Sequence, residues 1–442
     1  MSNLLQYGQA LRQLQKCGEQ GLSLFVGAGI SVETPSSCPA WNQLLNMLVS
    51  AAAGSHPRAA KLSEQFDGAL TSIKPEVFCQ AMYDNLLAEH FFGFLDVLYL
   101  GYPNRNHFAI GALARHMMIP LVLTTNFDVH VENAFEQMCL PHKLYVSRCP
   151  RKVLRRILNP KICGKTLPVL KIHGSIEDRP SIVITMRQAG RKLKADLAAV
   201  VQETLRSTPV LIVGYSGNDD DIFPEMLRVA AEAREVYWAL WDNEKSLTSN
   251  IKVFKAACPN CTIIECDNKA ILHDLAERVA KSSSVRQPDH HITPAEYVKR
   301  WIAGTPEECW INIFSELLLK THCTDDSARA IAKETDTVRR TANDKWLLAK
   351  ASANHGLAMS KLRDFEASVQ SLLQAADHFM EMAHHREVVE CLCNVVTETP
   401  LRPEWNGRSL ASWSGDIAGR NYDPHQLGMY NLLAGVVFSE QR

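Results

Sequence analysis

Between residues 20 and 270, short apolar runs are each closed by a small or polar cluster: Leu22–Val26, Ile119–Leu123, Leu167–Leu170, Pro209–Ile212, Val236–Leu240 and Thr262–Cys266. Runs this short, apolar throughout rather than alternating, predict parallel strands buried on both faces. Between them, apolar residues three and four apart predict helices over Gln43–Ala53, Glu76–Glu89, Phe91–Leu100, His107–Met118, Val129–Met138, Arg148–Leu158, Lys192–Leu205 and Phe223–Ala233. Leu4, Leu5, Leu11 and Leu14 predict a further short helix at the start. Strands alternating with helices imply a doubly wound parallel α/β sheet. The helical stretch from Trp41 to Met118 is too long for one crossover, and the expectation is a helical lobe beside the sheet.

The pattern changes after Ser282–Pro288, a polar, turn-forming linker. Helical spacing then dominates, over Trp310–Lys320, Ala328–Glu334, Trp346–Lys361, Glu366–Met382 and His385–Thr397. The expected division is an α/β domain over 1–281, a linker over 282–288 and an all-α domain over 289–442. The pairing of Asn354–Lys361 with Glu366–Met380 across Arg363, Asp364 and Phe365 resembles one tetratricopeptide unit, although solenoids need about three repeats for stability.

Polar residues of chemical interest sit where the strands end. The strings are GAGIS at Gly27–Ser31, TTNFD at Thr124–Asp128, KIHG at Lys171–Gly174 and VGYSGNDDD at Val213–Asp221. In open α/β sheets ligands bind at the carboxyl ends of the strands, so four such ends can converge on one crevice. Gly27 and Gly29 flanking Ala28 permit a tight turn and close approach of a pyrophosphate, whose oxygens the amides of the turn can bind. Asn126 and Asp128, two residues apart, can face one side; the amide can hold a water or a ribose hydroxyl, and either residue can cap the next helix. His173 at a strand end, with Gly174 turning the chain after it, is placed as a general base. Gly214 and Ser216 suit a phosphate or ribose, and Asp242 and Asn243 suit the adenosine ribose. Asp219, Asp220 and Asp221 precede a helix and read mainly as capping groups. Arg148, Arg151, Lys152, Arg155 and Arg156 read mainly as a solvated helical face.

Composition narrows the function. With 47 basic and 48 acidic residues and a net charge of -1, no electrostatic reason favours direct binding of nucleic acid or a membrane surface. No apolar run approaches the ~20 residues that span a bilayer. The 13 scattered cysteines fit free thiols of a cytoplasmic protein. Cys258 and Cys261 form one close pair without a second, so a turn is the leading reading and a metal the lesser one. No P-loop, HExxH or GxSxG string is present.

Taken together, the GAG turn, the TxNxD strand end, the HG and the GxS resemble the sirtuin family, over roughly residues 15 to 280. The closer resemblance is to prokaryotic sirtuin-like proteins that hydrolyse NAD, many of them in anti-phage defence. It implies a Rossmann-like domain in which Ala28, Gly29 and Ser31, with Gly27 and Thr125, line the NAD site. Asn126 and Asp128 would lie near the nicotinamide ribose, His173 would be the catalytic base, and Gly214 and Ser216 would hold the phosphate or adenosine end. Sirtuin deacylases carry four zinc cysteines after the catalytic histidine. No cysteine lies between His173 and Tyr237 here, so no zinc is expected. Pro39, Ala40 and Trp41 stand where deacylases carry a phenylalanine–arginine pair, a pattern similar to the NAD-hydrolysing relatives. NAD is thus implied as substrate, with a homo-oligomer and a trigger acting through the helical domain. A non-catalytic NAD or ADP-ribose sensor, ADP-ribosyl transfer and deacylation stay open as alternatives.

Overall fold

Seven strands hydrogen-bond into one parallel sheet: β1 Ser23–Val26, β2 Val122–Thr124, β3 His142–Val146, β4 Leu167–Lys171, β5 Pro209–Val213, β6 Glu235–Leu240 and β7 Cys261–Glu265. The computed structural model describes residues 7–66, 68–69, 73–149, 151–159, 166–190, 192–240, 247–266, 268–279 and 292–398. The strand order is β3-β4-β2-β1-β5-β6-β7. The chain therefore lays β2, β3 and β4 on one side of β1, with β4 between β2 and the edge strand β3, then returns to place β5 on the other side of β1. The switch in winding lies between β1 and β5, where open α/β sheets bind their ligands.

Alternation along the strands sorts the two cores. Leu24, Val26, Val122, Val169, Leu211 and Val213 face one layer of buried side chains, which includes Leu14, Ile110, Phe135 and Leu275 from Tyr7–Gln20, Arg105–His116, His130–Gln137 and Asn268–Val279. Phe25, Leu123, Leu170, Ile212 and Trp238 face the opposite layer, with Ile157, Val201, Met226 and Phe254 from Arg151–Leu158, Ala195–Ser207, Ile222–Arg228 and Ser249–Ala257. Such two-sided burial is why the runs are apolar without alternation. The expected doubly wound sheet is the sheet observed. The sequence reading missed β3, an edge strand whose His142 and Lys143 break the apolar run and in which Tyr145 is the buried residue.

The chain divides into two compact units, and both are discontinuous: Met1–Leu44 with Phe92–Val298, and Leu45–Phe91 with Lys299–Arg442. The helices of 45–91, read from sequence as a lobe beside the sheet, belong to the second unit. Their partner is Glu307–Thr321, a helix buried on nearly every side through Trp310, Ile311, Phe314, Leu317 and Leu318. Phe66 meets Phe314 edge to face at 5.8 Å between ring centres. The Glu316 carboxylate, also buried, accepts from Asn85 Nδ2 at 2.9 Å and lies 2.6 Å from Lys320 Nζ and 3.1 Å from Lys350 Nζ. The helical spacing expected beyond the linker is present, as Asp325–Thr341, Lys345–Lys361, Phe365–Glu381 and His385–Glu398. Residues 282–288, the expected linker, lie outside the described residues.

Candidate active site

The first element of the site is the junction of the β1 and β5 turns. Gly27 N–H donates to the Val213 carbonyl at 3.0 Å and Gly29 N–H to the Gly214 carbonyl at 2.9 Å. A Cβ on Gly27 would stand 2.5 Å from the Gly214 oxygen, and one on Gly29 2.7 Å from the Gly214 Cα. Gly214 itself has φ +68, which L side chains rarely adopt. These glycines therefore let two backbones touch at the switch point. Their own amides are spent there. Ala28 and Gly29 remain exposed on the outer side of the turn. Ser216 is exposed too, and its carbonyl accepts from Thr248 Oγ1 at 3.0 Å, which ties the β5 turn to the helix Ser249–Ala257.

Ser31, at the end of the short 3-10 turn Ala28–Ser31, is fully buried and gathers the second element. Its hydroxyl donates to Asp128 Oδ2 at 2.9 Å and accepts from Asn126 Nδ2 at 3.4 Å. Asn126 Nδ2 also donates to the Gly27 carbonyl at 3.2 Å, and the Asn126 amide donates to Thr124 Oγ1 at 3.0 Å. Asn126 and Asp128 do face one side, as their spacing predicted. Asp128 also serves the helix: its Oδ1 accepts from the His130 amide at 3.1 Å, while Asn126 caps nothing. Thr125 sits between the β1 and β2 ends, its amide 3.4 Å from the Val26 carbonyl. The buried Asn126 Oδ1 has no hydrogen-bond partner among the described residues. A buried amide oxygen left bare is costly, so this atom can accept from a ligand or water.

His107 completes this network, and the sequence reading missed it. Asn104 caps the helix Arg105–His116, and the backbone N–H of Asn104 donates to His107 Nδ1 at 3.0 Å. That leaves the proton on Nε2, which lies 3.1 Å from Ser31 Oγ and donates to it. The signal was the N-x-x-H box at Asn104–His107, a capping pattern with histidine in the usual glutamate position. Burial first, and then His130, hold His107 down to about 3, against the opposing pull of Asp128. For Asp128, burial pushes the carboxyl up, but His130, His107, Lys171 and the His130 amide outweigh it and hold it below its ordinary value. Asp128 is thus a buried, ionised carboxylate.

A pH dependence follows from His107. Its folded-state value lies below the ordinary 6.5, so between about pH 6.5 and 3 the unfolded chain binds a proton that the folded chain does not. Stability therefore falls as the pH drops through that window, by about 2 kcal/mol at pH 5 from this group. His107→Gln should flatten that part of the pH–stability curve, as read from urea midpoints at pH 7 and 5; an unchanged slope would refute the assignment.

Lys171 is buried to 1% exposure and pins the Asn126 turn from beneath. Its ammonium donates to the Phe127 carbonyl at 3.3 Å, to the Asp128 carbonyl and to Ser175 Oγ at 3.2 Å, and lies 2.6 Å from Glu132 Oε1. Two residues on stands His173, next to Gly174 at φ +101. His173 Nε2 lies 3.1 Å from Asp221 Oδ1 and 3.3 Å from Oδ2, and its Nδ1 lies 3.9 Å from Asp219 Oδ1. For Asp221 this corrects the reading as a capping group. Asp221 stands at the N-cap of Ile222–Arg228 but makes no side-chain cap bond, its carboxylate being turned to the imidazole. Asp242 and Asn243 lie outside the described residues.

Cys258 and Cys261 are free thiols in the core beside Phe254, bracketing the turn into β7. No helix among the described residues is long and apolar enough to cross a membrane.

The fold and site together define a doubly wound α/β protein whose polar groups gather at the ends of the adjacent strands β4, β2, β1 and β5. Residues 120–257 match the family described as SIR2-like domain, and over that span the chain is sirtuin-like. Comparison with curated proteins returns no match. Among solved structures, a Sir2 homologue in complex with NAD is similar at 15% identity over 63% of this chain and 96% of its own, with TM-score 0.38. A second, described by the mechanism and regulation of Sir2 enzymes, is similar at 15% identity over 61% and 96%, with TM-score 0.34.

Proposed function

We propose that this protein is an NAD glycohydrolase: with water, it cleaves the bond between nicotinamide and ribose and releases nicotinamide, ADP-ribose and a proton. The observation that carries the reading is the bare Oδ1 of Asn126, held in place by two bonds from its own Nδ2. An acceptor fixed in this way can hold the attacking water or a ribose hydroxyl in a near-attack position. The site residues fit NAD in other respects. The β1 and β5 turns leave Ala28, Gly29 and Ser216 exposed toward a ligand at the switch point. Asp128, buried and ionised, supplies negative charge of the sign that a developing oxocarbenium ion needs. His173 takes the proton from the water or hydroxyl. The SIR2-like match supports NAD as the substrate.

The helical unit is assigned to self-association and to sensing a trigger, and the activity to an NAD-depleting role in anti-phage defence, both resting on the resemblance of the strand-end motifs. The test is nicotinamide release from NAD by the purified full-length protein, across protein concentrations and beside sedimentation. Release that rises with assembly supports the reading. Binding of NAD without release, at every concentration and with infected-cell extract added, would leave a sensor instead. His173→Ala should lower release at least about 10²-fold, with the fold intact by circular dichroism. Wild-type turnover in that variant would remove His173 from the reaction.

A further inference from the structure

The segment Asp219–Asp221 carries more negative charge than its short helix uses. The helix Ile222–Arg228 has seven residues, and no side-chain oxygen of Asp221 caps it. Asp221 is nevertheless buried, at 8% exposure, where a carboxylate is costly unless paired. Both of its oxygens lie within 3.3 Å of one atom, His173 Nε2. Asp219 lies on the Nδ1 side of the same ring, at 3.9 Å and so beyond hydrogen-bond reach. The β5 turn thus presents two carboxylates to the one imidazole proposed as base.

We propose that Asp221 is the positioning residue of His173: it accepts the hydrogen bond from Nε2–H, fixes the tautomer and ring plane, and offsets the positive charge when the ring becomes imidazolium. The proposal rests on the reading that His173 takes a proton during NAD cleavage. With the proton held on Nε2, the basic lone pair of the neutral ring is on Nδ1. The incoming proton from water or a ribose hydroxyl is received there, and the imidazolium that results sits between Asp221 and Asp219. No atom of Asp221 changes its bonds. Burial pushes Asp219 above its ordinary value, with His173 opposing. Tyr215, in the same turn and buried, and Asp220 are further titratable groups near Asp219, and burial followed by Asp219 drives the Tyr215 phenol further from ionisation.

Asp221→Asn tests this, because an amide matches the carboxylate in shape but offers Nε2–H only half of an acceptor and can present a donor instead. The expected result is a fall in kcat on the order of 10³-fold with the dissociation constant for NAD changed less than about threefold. Histidine-selective ¹⁵N spectra of the full-length protein, assigned by the peak lost in His173→Gln, should show the Nε2–H pattern in wild type and its loss in Asp221→Asn. Asp221→Glu should recover part of kcat, and Asp219→Asn should cost no more than about tenfold. An unchanged His173 spectrum in Asp221→Asn, or a larger loss from Asp219→Asn, would overturn the assignment. Should wild type release no nicotinamide, the glycohydrolase reading fails, while the spectra still decide whether Asp221 holds the ring.

Discussion

Asn126→Ala should abolish measurable NAD cleavage, lowering nicotinamide release by about 10²–10³-fold or more, while calorimetric affinity for NAD stays within a few fold. Alanine removes both halves of the amide. The Nδ2 half lies inside the protein, bonded to Gly27 and Ser31, and the Oδ1 half has no partner among the described residues. Asn126→Asp separates them: it keeps an oxygen at Oδ1 but sets a second one against the Gly27 carbonyl oxygen. It should therefore be nearly as inactive as alanine and less stable. Turnover by Asn126→Ala within about threefold of wild type would sink the assignment, whatever the effect on stability.

The second large effect is on folding. Lys171→Met should cost about 3–5 kcal/mol, because it leaves the Glu132 carboxylate buried without its cation. Glu132 is 6% exposed, and burial already pushes it above its ordinary value against the pull of Lys171. The carbonyls of Phe127 and Asp128 also lose their donor. Adding Glu132→Gln to Lys171→Met removes the stranded charge and should restore a substantial part of the loss. Urea unfolding of the four proteins in the cycle gives the coupling directly. A single-variant cost under about 1 kcal/mol would mean that water reaches Lys171.

What the sequence made legible follows from what lies along one strand or at its end. β1, β2, β4, β5 and β6 are central and bury both faces, so their apolar runs stand out. Asn126, Asp128 and His173 could be picked because each stands within a few residues of such a run. His107 and Asp221 were passed over for a different reason. His107 reaches Ser31 across 76 residues of sequence, and Asp221 reaches His173 across 48. Nothing local separates a histidine near a helix start, or an aspartate before a helix, from ordinary capping groups. The glycines were read as permitting a tight turn beside a pyrophosphate; that Gly27, Gly29 and Gly214 also answer to one another across the switch point could not be read locally. In each case the choice between capping and function is made by a contact distant in sequence.

The discontinuity of the helical unit bears on how the protein is made. Asn85 and Glu316, bonded in its buried centre, are 231 residues apart. At ribosomal rates of about 5–20 residues per second, the helices of 45–91 emerge on the order of 10–50 s before their partners exist. For that interval Phe66, fully buried in the finished protein, lacks Phe314, the ring it meets edge to face. Nascent chains halted anywhere short of Glu307–Thr321 should therefore be sticky and readily captured by chaperones.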